Sequence, residues 1–420
     1  MIELKIEIAE ATSLKGKVTI SGSKNATLAI MACSILTDEL LILNNVPNIS
    51  DVQMLAKLLR EVGIDVVYLE KKHKMYLRKK KLKIRLQASD VKQIRASYYI
   101  MGALVAMRKN FKTCYPGGCD FAKRPIDYHL EAFRKTGYKI IEKNNFLFFK
   151  KQRGHSQNQN FYLARKSVGA TINIIYISVL KNTSTIIKNP SLEPEVMQVI
   201  TLLNQMKAKI TILDQDTIEI KGVKKLLGTI FDIMSDRIEA GSYMLLACAA
   251  HQSEVRIENI YLPHLREVIQ TIKELGVSIK EGKNYLELKK TFPLKGIEKE
   301  IAHYPFFPTD LQQILTVVCT QAITTSILSD EVYPNRLSHL LEIQKANGKV
   351  KSFKKKIYIE PSNLFATTLY AHDLRCGFAC IVIGAVAKGI TTIENAEVIL
   401  RGYEELTNKL QKLGIRIKMK

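Results

Sequence analysis

Two α/β bodies, each with helices inside a ring of three small sheets, are the architecture that three observations predict. The chain repeats a strand, loop and helix pattern six times, at intervals of about seventy residues. Each repeat holds one helix-length stretch that is apolar on all sides and one that is amphipathic, so one helix is buried and one half-exposed. The 420 residues exceed a single ordinary core, and 46% of them are hydrophobic, enough to fill more than one.

The elements follow in chain order. Met1-Ile2-Glu3-Leu4-Lys5 alternates like a strand and lacks the apolar block of a signal peptide. The amphipathic helices then end on a short signature before the next strand. It reads Val62-Gly63-Ile64, Thr136-Gly137-Tyr138, Met206-Lys207-Ala208, Leu275-Gly276-Val277, Asn347-Gly348-Lys349 and Leu413-Gly414-Ile415. A left-handed residue just past a helix relieves its last carbonyls, which is the reason for Gly there. Positions 63, 137, 207, 276, 348 and 414 are therefore expected in that conformation, with Lys207 the degenerate member. The apolar helices begin near Asn25, Ala96, Val168, Ile238, Leu311 and Leu374. Ala96–Met107 and Gly241–Ala250 show the type, nearly free of charge.

Composition excludes several classes. No apolar run reaches the roughly 18 residues of a membrane span, so a protein of the cytoplasm without membrane insertion is expected. Seven cysteines, odd in number and without CxxC spacing, fit a reducing compartment. His372, Cys376 and Cys380 would share one helical face, but the surrounding Cys376–Ala387 stretch is small and apolar. Buried thiols are the expectation, with no metal. The formal charge of +23 raises nucleic acid or a membrane surface as a partner. Lys71 to Arg85 alone holds nine Lys/Arg and no acid. Basic residues nevertheless continue along the whole chain, and no zinc finger, helix-turn-helix or stacking motif accompanies them. A solvated surface of biased composition is the reading, with no nucleic acid as partner.

Polar residues precede each apolar helix. They read Ser23-Lys24-Asn25, Gln93-Ile94-Arg95, Arg165-Lys166-Ser167, Ser235-Asp236-Arg237, Pro308-Thr309-Asp310 and His372-Asp373-Leu374-Arg375. Ser, Asp and Asn act first as N-caps. Capping does not call for Lys24, Arg95, Arg237 and Arg375, because a cation opposes the positive end of the helix dipole. Their placement makes sense if several helix ends converge on anions, in a cleft between two facing bodies. The loop from Tyr115 to Pro125 stands out as well. Gly117-Gly118 loosens it, and Lys123 and Arg124 favour a thiolate at Cys119, making this cysteine the leading candidate nucleophile or proton carrier.

Several stretches carry a resemblance. Thr19-Ile20-Ser21-Gly22-Ser23-Lys24-Asn25, Pro116-Gly117-Gly118-Cys119, Arg124-Pro125-Ile126-Asp127 and Ser167-Val168-Gly169-Ala170-Thr171 are four of them. Phe307-Pro308-Thr309-Asp310, Asn335-Arg336, Asp373-Leu374-Arg375 and Arg401-Gly402-Tyr403 complete the set, in order along the whole chain. Together they resemble the UDP-N-acetylglucosamine 1-carboxyvinyltransferase branch of the enolpyruvyl transferases. The Pro-Gly-Gly-Cys loop separates this branch from the enolpyruvylshikimate-phosphate synthases. The resemblance implies a two-domain inside-out α/β barrel of six repeats, three per domain. One domain would be residues 23–234 and the other residues 1–22 with 235–420.

It also implies the reaction: transfer of enolpyruvyl from phosphoenolpyruvate to UDP-N-acetylglucosamine, the first committed step of peptidoglycan synthesis, with no cofactor and with fosfomycin as an inhibitor. Lys24, Asn25, Arg124 and Arg401 would hold phosphoenolpyruvate. Arg95, the run Arg124, Pro125, Ile126, Asp127 and Tyr128, then Arg165, Lys166, Ser167, Val168 and Val332, would bind the UDP-sugar. Cys119 would deliver a proton, Asp310 would take one, and Arg336, Asp373 and Arg375 would complete a charged ring. Leu192 and Leu400 stand where the resemblance leads one to expect an arginine and an acid, and Asp120–Lys123 is more charged than usual. Two other readings stay open: an enolpyruvyl transferase for another nucleotide acceptor, and a non-catalytic relative that binds UDP-sugar.

Overall fold

The computed structural model describes residues 4–117, 126–152 and 158–420. They divide into two compact bodies, one of residues 4–21 and 235–420, the other made from the described part of residues 22–234.

In the second body, Leu41–Asn44 pairs in parallel with Thr229–Asp232 and antiparallel with Lys74–Lys79, the partner of Ile64–Leu69 in a hairpin. Leu41, Leu43, Met75 and Leu77 point inward while their neighbours stay partly exposed, the period-two pattern of a half-buried sheet. Gln159–Tyr162 and Ser184–Lys188 repeat the parallel pair, completed by Thr217–Lys221 and Lys209–Asp214. A third sheet, of Phe111–Cys114, Phe146–Lys151 and Tyr138–Lys143, is antiparallel throughout. Inside lie the apolar helices Lys24–Ala32, Ser97–Ala106 and Val168–Val179. The last two approach so closely that a Cβ on Gly102 would stand 2.1 Å from the Asn173 Oδ1 oxygen.

The first body follows the same plan. Its strand Ser13–Thr19 runs parallel to Gln252–Glu258, which continues to Tyr285–Lys290 and Ser278–Glu281. Ile6–Ala9 lies between Ile390–Glu394 and Ile417–Met419, so the start of the chain completes the sheet built by its end. The helices Arg237–Ala249, Gln312–Thr320 and Leu374–Val386 pack on one another, and each also packs against a different sheet.

Several expectations need adjusting. The apolar helices start within a residue of the expected places, at Lys24, Ser97, Val168, Arg237, Gln312 and Leu374. Lys207 is left-handed with φ 74°, as are Gly63, Gly137, Gly276 and Gly414, but in the fifth signature the left-handed residue is Asn347 (φ 70°) rather than Gly348. Asn tolerates this conformation because its short amide can bond locally. The barrels do not close. Five sheets have four strands and one has three, all open among the described residues. So few strands cannot curl around an interior wide enough for side chains. His372 precedes the helix that carries Cys376 and Cys380 and bonds the buried Glu342 carboxylate at 2.9 Å, so the three do not form a helical face. No helix among the described residues is long and apolar enough to cross a membrane.

One buried ion pair fastens the end of the first body's opening segment. Lys409 Nζ donates to Glu239 Oε1 and to Ser21 Oγ, both at 2.6 Å, and the Ser21 amide donates to Glu239 Oε2 at 2.8 Å. Burial pushes the Glu239 carboxyl up to about 7, against the pull of Lys409. A carboxyl raised in this way contributes its stability in the protonated form, and that contribution is lost as pH rises from the ordinary carboxyl range through about 7. We expect Lys409→Met to lower unfolding free energy by about 3 kcal/mol, the usual result of leaving a buried charge unpaired. The loss should be smaller at pH 6 than at pH 8, because Glu239 can then be neutral. Urea unfolding at the two pH values checks this, and equal losses would contradict it.

Candidate active site

Four of the residues singled out in the sequence meet in the first body. Asp310 lies in the single 3₁₀ turn Thr309–Leu311 that leads into the helix Gln312–Thr320. Its carboxylate does not cap the helix. Arg336 Nη1 donates to its Oδ1 and Arg375 Nη2 to its Oδ2, both at 2.9 Å. Arg336 Nη2 also donates to Asp373 Oδ1 at 3.0 Å, so one guanidinium spans two carboxylates. Asp373 caps the helix Leu374–Val386, accepting from the Arg375 and Cys376 amides at 2.7 and 3.2 Å.

Burial decides which member of this ring can meet a ligand. The Arg336, Arg375 and Asp373 side chains are 3%, 5% and 8% exposed, whereas Asp310 is 26% exposed. Burial opposes the Arg336 charge, but Asp373 and Asp310 outweigh it and hold the guanidinium above its usual value. Burial likewise raises the Asp373 carboxyl, and Arg336 with the two cap amides brings it below the ordinary carboxylate range. Arg336, Asp373 and Arg375 are thus held in their charged forms. Asp310 is the partly exposed carboxylate of the ring, the member that a hydroxyl can approach and pass its proton to.

Sequence reasoning missed the residues that aim this ring. Asp330 accepts from Thr309 Oγ1 at 2.6 Å and from the Val332 and Tyr333 amides at 2.8 and 2.9 Å, tying the Asp310 turn to the Val332 turn. Tyr403 OH takes a 3.4 Å hydrogen bond from Arg375 Nη1 and bonds Ser242 at 2.8 Å. Gln313 Nε2 donates to Asp373 Oδ2 at 3.3 Å. An available signal for Asp330 was Ser329-Asp330-Glu331 at the end of the strand Ser326–Asp330, where an Asp side chain accepts from amides two and three residues on. Arg401 ends the 3₁₀ segment Ala396–Arg401, two residues before Tyr403.

The second body holds other expected residues. Ser23 caps the helix Lys24–Ala32, accepting from the Ala26 amide at 3.4 Å, with Asn25 in its first turn. Lys24 Nζ stands 3.3 Å from Asp51 Oδ2, both side chains largely buried. Ser167 caps Val168–Val179 in the same way. Asp127 and Tyr128 open the helix Asp127–Lys135 just after the buried Ile126. Arg165 ion-pairs with Asp127 at 3.2 Å and lies 5.1 Å from the Tyr128 ring, which brings these three together. Lys166 reaches Asp216 at 3.9 Å, and Arg95 stacks over Tyr98 at 5.7 Å. Lys24 and Arg375 therefore have carboxylate partners of their own, Asp51 and Asp310, in addition to any anion they bind. A cation at a helix N-terminus is tolerable when a carboxylate offsets it.

Cys119, Arg124 and Pro125 lie outside the described residues. The other six cysteines are free thiols and buried. Burial pushes Cys33, Cys248 and Cys319 up to about 12 each, which leaves them unreactive at neutral pH. No metal-binding cluster occurs among the described residues.

Comparison with known proteins now bears on this geometry. Residues 8–410 match the family model of EPSP synthase (3-phosphoshikimate 1-carboxyvinyltransferase). A protein of Bacillus cereus named UDP-N-acetylglucosamine 1-carboxyvinyltransferase 2 is 36% identical over 414 residues, 98% of this chain and 96% of its own length. One of the same name from Oceanobacillus iheyensis is 37% identical over the same span. Among solved structures, the enolpyruvyl transferase NikO from Streptomyces tendae superposes with a TM-score of 0.89 at 20% identity, covering 99% of both chains. EPSP synthase from Acinetobacter baumannii gives 0.75 at 16% identity, over 99% of this chain and 100% of that one. At these identities the two structures share the fold alone.

Proposed function

We propose, because this chain belongs to the EPSP synthase family of enolpyruvyl transferases, that it moves the enolpyruvyl group of phosphoenolpyruvate onto the 3-hydroxyl of UDP-N-acetylglucosamine. Phosphate is released, and the product enters peptidoglycan synthesis, with the consequences for cell wall, shape and division that this implies. The observation that carries the reading is the Asp310 carboxylate, clamped by two buried arginines yet itself partly exposed, in a chain similar along 98% of its length to enzymes of that name.

The chemistry needs a proton taken and a proton given. As the sugar O3 bonds to C2 of phosphoenolpyruvate, its proton passes to Asp310, while C3 gains one from the Cys119 thiol. In the second half C3 returns a proton, the C2–O bond to phosphate breaks, and phosphate leaves. Lys24, Arg124 and Arg401, with Asn25 beside them, hold the phosphate and carboxylate and stabilise the departing anion. Arg95, Asp127, Tyr128, Arg165, Lys166, Ser167, Val168 and Val332 take the UDP-sugar, together with Arg124, Pro125 and Ile126. The paired Asp127 and Arg165 and the stacked Tyr128 support this assignment. Arg336 and Arg375 hold and aim the Asp310 carboxylate, and Asp373 holds Arg336. The finer organisation we propose is six repeats, three to each body, with the helices inside. Six free buried thiols suit a cytoplasmic location.

Purified protein given phosphoenolpyruvate and UDP-N-acetylglucosamine should release inorganic phosphate. UDP-glucose should be far poorer, since a site built to bond the N-acetyl group is left with unpaired polar groups. Phosphate release that favours another nucleotide acceptor, or none with any UDP-sugar, would refute the reading.

A further inference from the structure

We propose that Gln313 is a positioning residue of the transfer reaction: its amide nitrogen orients Asp373, which holds Arg336 against the Asp310 carboxylate. The proposal rests on the reading of Asp310 as the base.

A carboxylate only accepts hydrogen bonds, so the group that Gln313 turns to Asp373 Oδ2, at 3.3 Å, is its NH₂. The other Asp373 oxygen accepts from Arg336 and from two cap amides, which fixes that oxygen but leaves the carboxylate free to turn about it. The Gln313 bond removes this freedom. Arg336 depends on the result, because its Nη2 follows Asp373 and its Nη1 reaches Asp310.

Gln313 is fully buried, yet its Oε1 has no hydrogen-bond partner among the described residues. The same holds for Gln312 Oε1 and for Nδ1 of His339, a ring whose other nitrogen, Nε2, meets Gln312 Nε2 at 3.4 Å and Thr316 Oγ1 at 3.2 Å. Half-satisfied buried amides cost free energy that Met or Leu would avoid. Sequences break this rule mainly where function requires it, and these orphaned atoms lie beside the Asp373–Arg336 pair. Burial drives His339 down to about 3, so it stays uncharged and does not compete with Arg336 for Asp373.

Two variants test this. Gln313→Met keeps length and burial but cannot donate. Its turnover should fall about tenfold, with KM for both substrates within about threefold and melting within a few degrees, because one lost bond is offset by one removed orphan. Gln313→Glu can donate only while protonated. The new carboxyl would face Asp373 at the helix cap, a carboxylate itself held by Arg336, with Asp310 bonded to that arginine and His339 electrostatically linked to both Asp373 and Arg336. Burial and Asp373 raise its pKa, while Arg336 opposes them. Its turnover should approach that of the parent near pH 6 and fall to that of Gln313→Met by about pH 8.5, a limb absent from the parent profile. Parent-like turnover in Gln313→Met, or a pH-independent defect in Gln313→Glu, would overturn the proposal. So would a crystal structure of Gln313→Met with Asp373 and Arg336 unmoved, whatever the activity. A parent enzyme inactive with every acceptor would instead count against the proposed function.

Discussion

Asp310→Asn should lower turnover by about 10²-fold or more, the loss typical of removing a general base. The substitution keeps the side chain's shape and its place at the mouth of the ring. It replaces an anion that can take a proton with an amide that cannot. The KM for the sugar nucleotide should change less, since the hydroxyl can still bond to the amide. Stability is a second readout. Arg336 keeps Asp373, but Arg375 loses its carboxylate partner and retains the 3.4 Å bond to Tyr403. Leaving such a buried cation without its carboxylate costs about 3 kcal/mol, so melting should fall as well. Phosphate release measured well below the new melting temperature separates the two effects. Turnover within threefold of the parent would remove Asp310 from the chemistry.

Alkylation should find Cys119 before any other cysteine. The remaining six are buried, and three have thiols pushed up to about 12, where only about one in 10⁵ is thiolate at pH 7. A loop cysteine near Lys123 and Arg124, at or below the ordinary thiol range, would be more reactive by about 10³-fold or more. Iodoacetamide followed by peptide mass spectrometry should place the first adduct on Cys119 and abolish phosphate release in step with it. Fosfomycin, an epoxide phosphonate with the charge pattern of phosphoenolpyruvate, should react at the same sulfur. Cys119→Asp should resist both reagents and retain activity, because a carboxylic acid can also donate the proton. An adduct that forms first on any other cysteine, with activity intact, would overturn the assignment.

The places where sequence and structure part company share a cause. Buried helices were legible because a stretch apolar on every side has one stable location, and a cap residue marks its start. Ser23, Ser167, Asp236 and Asp373 do cap their helices. Asp310 looks the same in sequence and does something else, because two guanidiniums claim its oxygens. Gly348 illustrates the limit of a local signal. A left-handed residue was needed near that point, and Asn347 supplies it one position earlier.

What the sequence determined by itself, then, is what depends on neighbours along the chain: the buried and half-buried helices, the turns after them, and the polar residues gathered at helix starts. Only the tertiary structure decided which polar groups meet. Lys24 finds Asp51, Thr309 finds Asp330, Arg375 finds Asp310, and Gln313 finds Asp373, pairs separated by 27, 21, 65 and 60 residues. No periodicity encodes such pairs. A polar side chain drawn into the core by the packing of its helix must find a partner there, and the fold alone determines which one lies within reach.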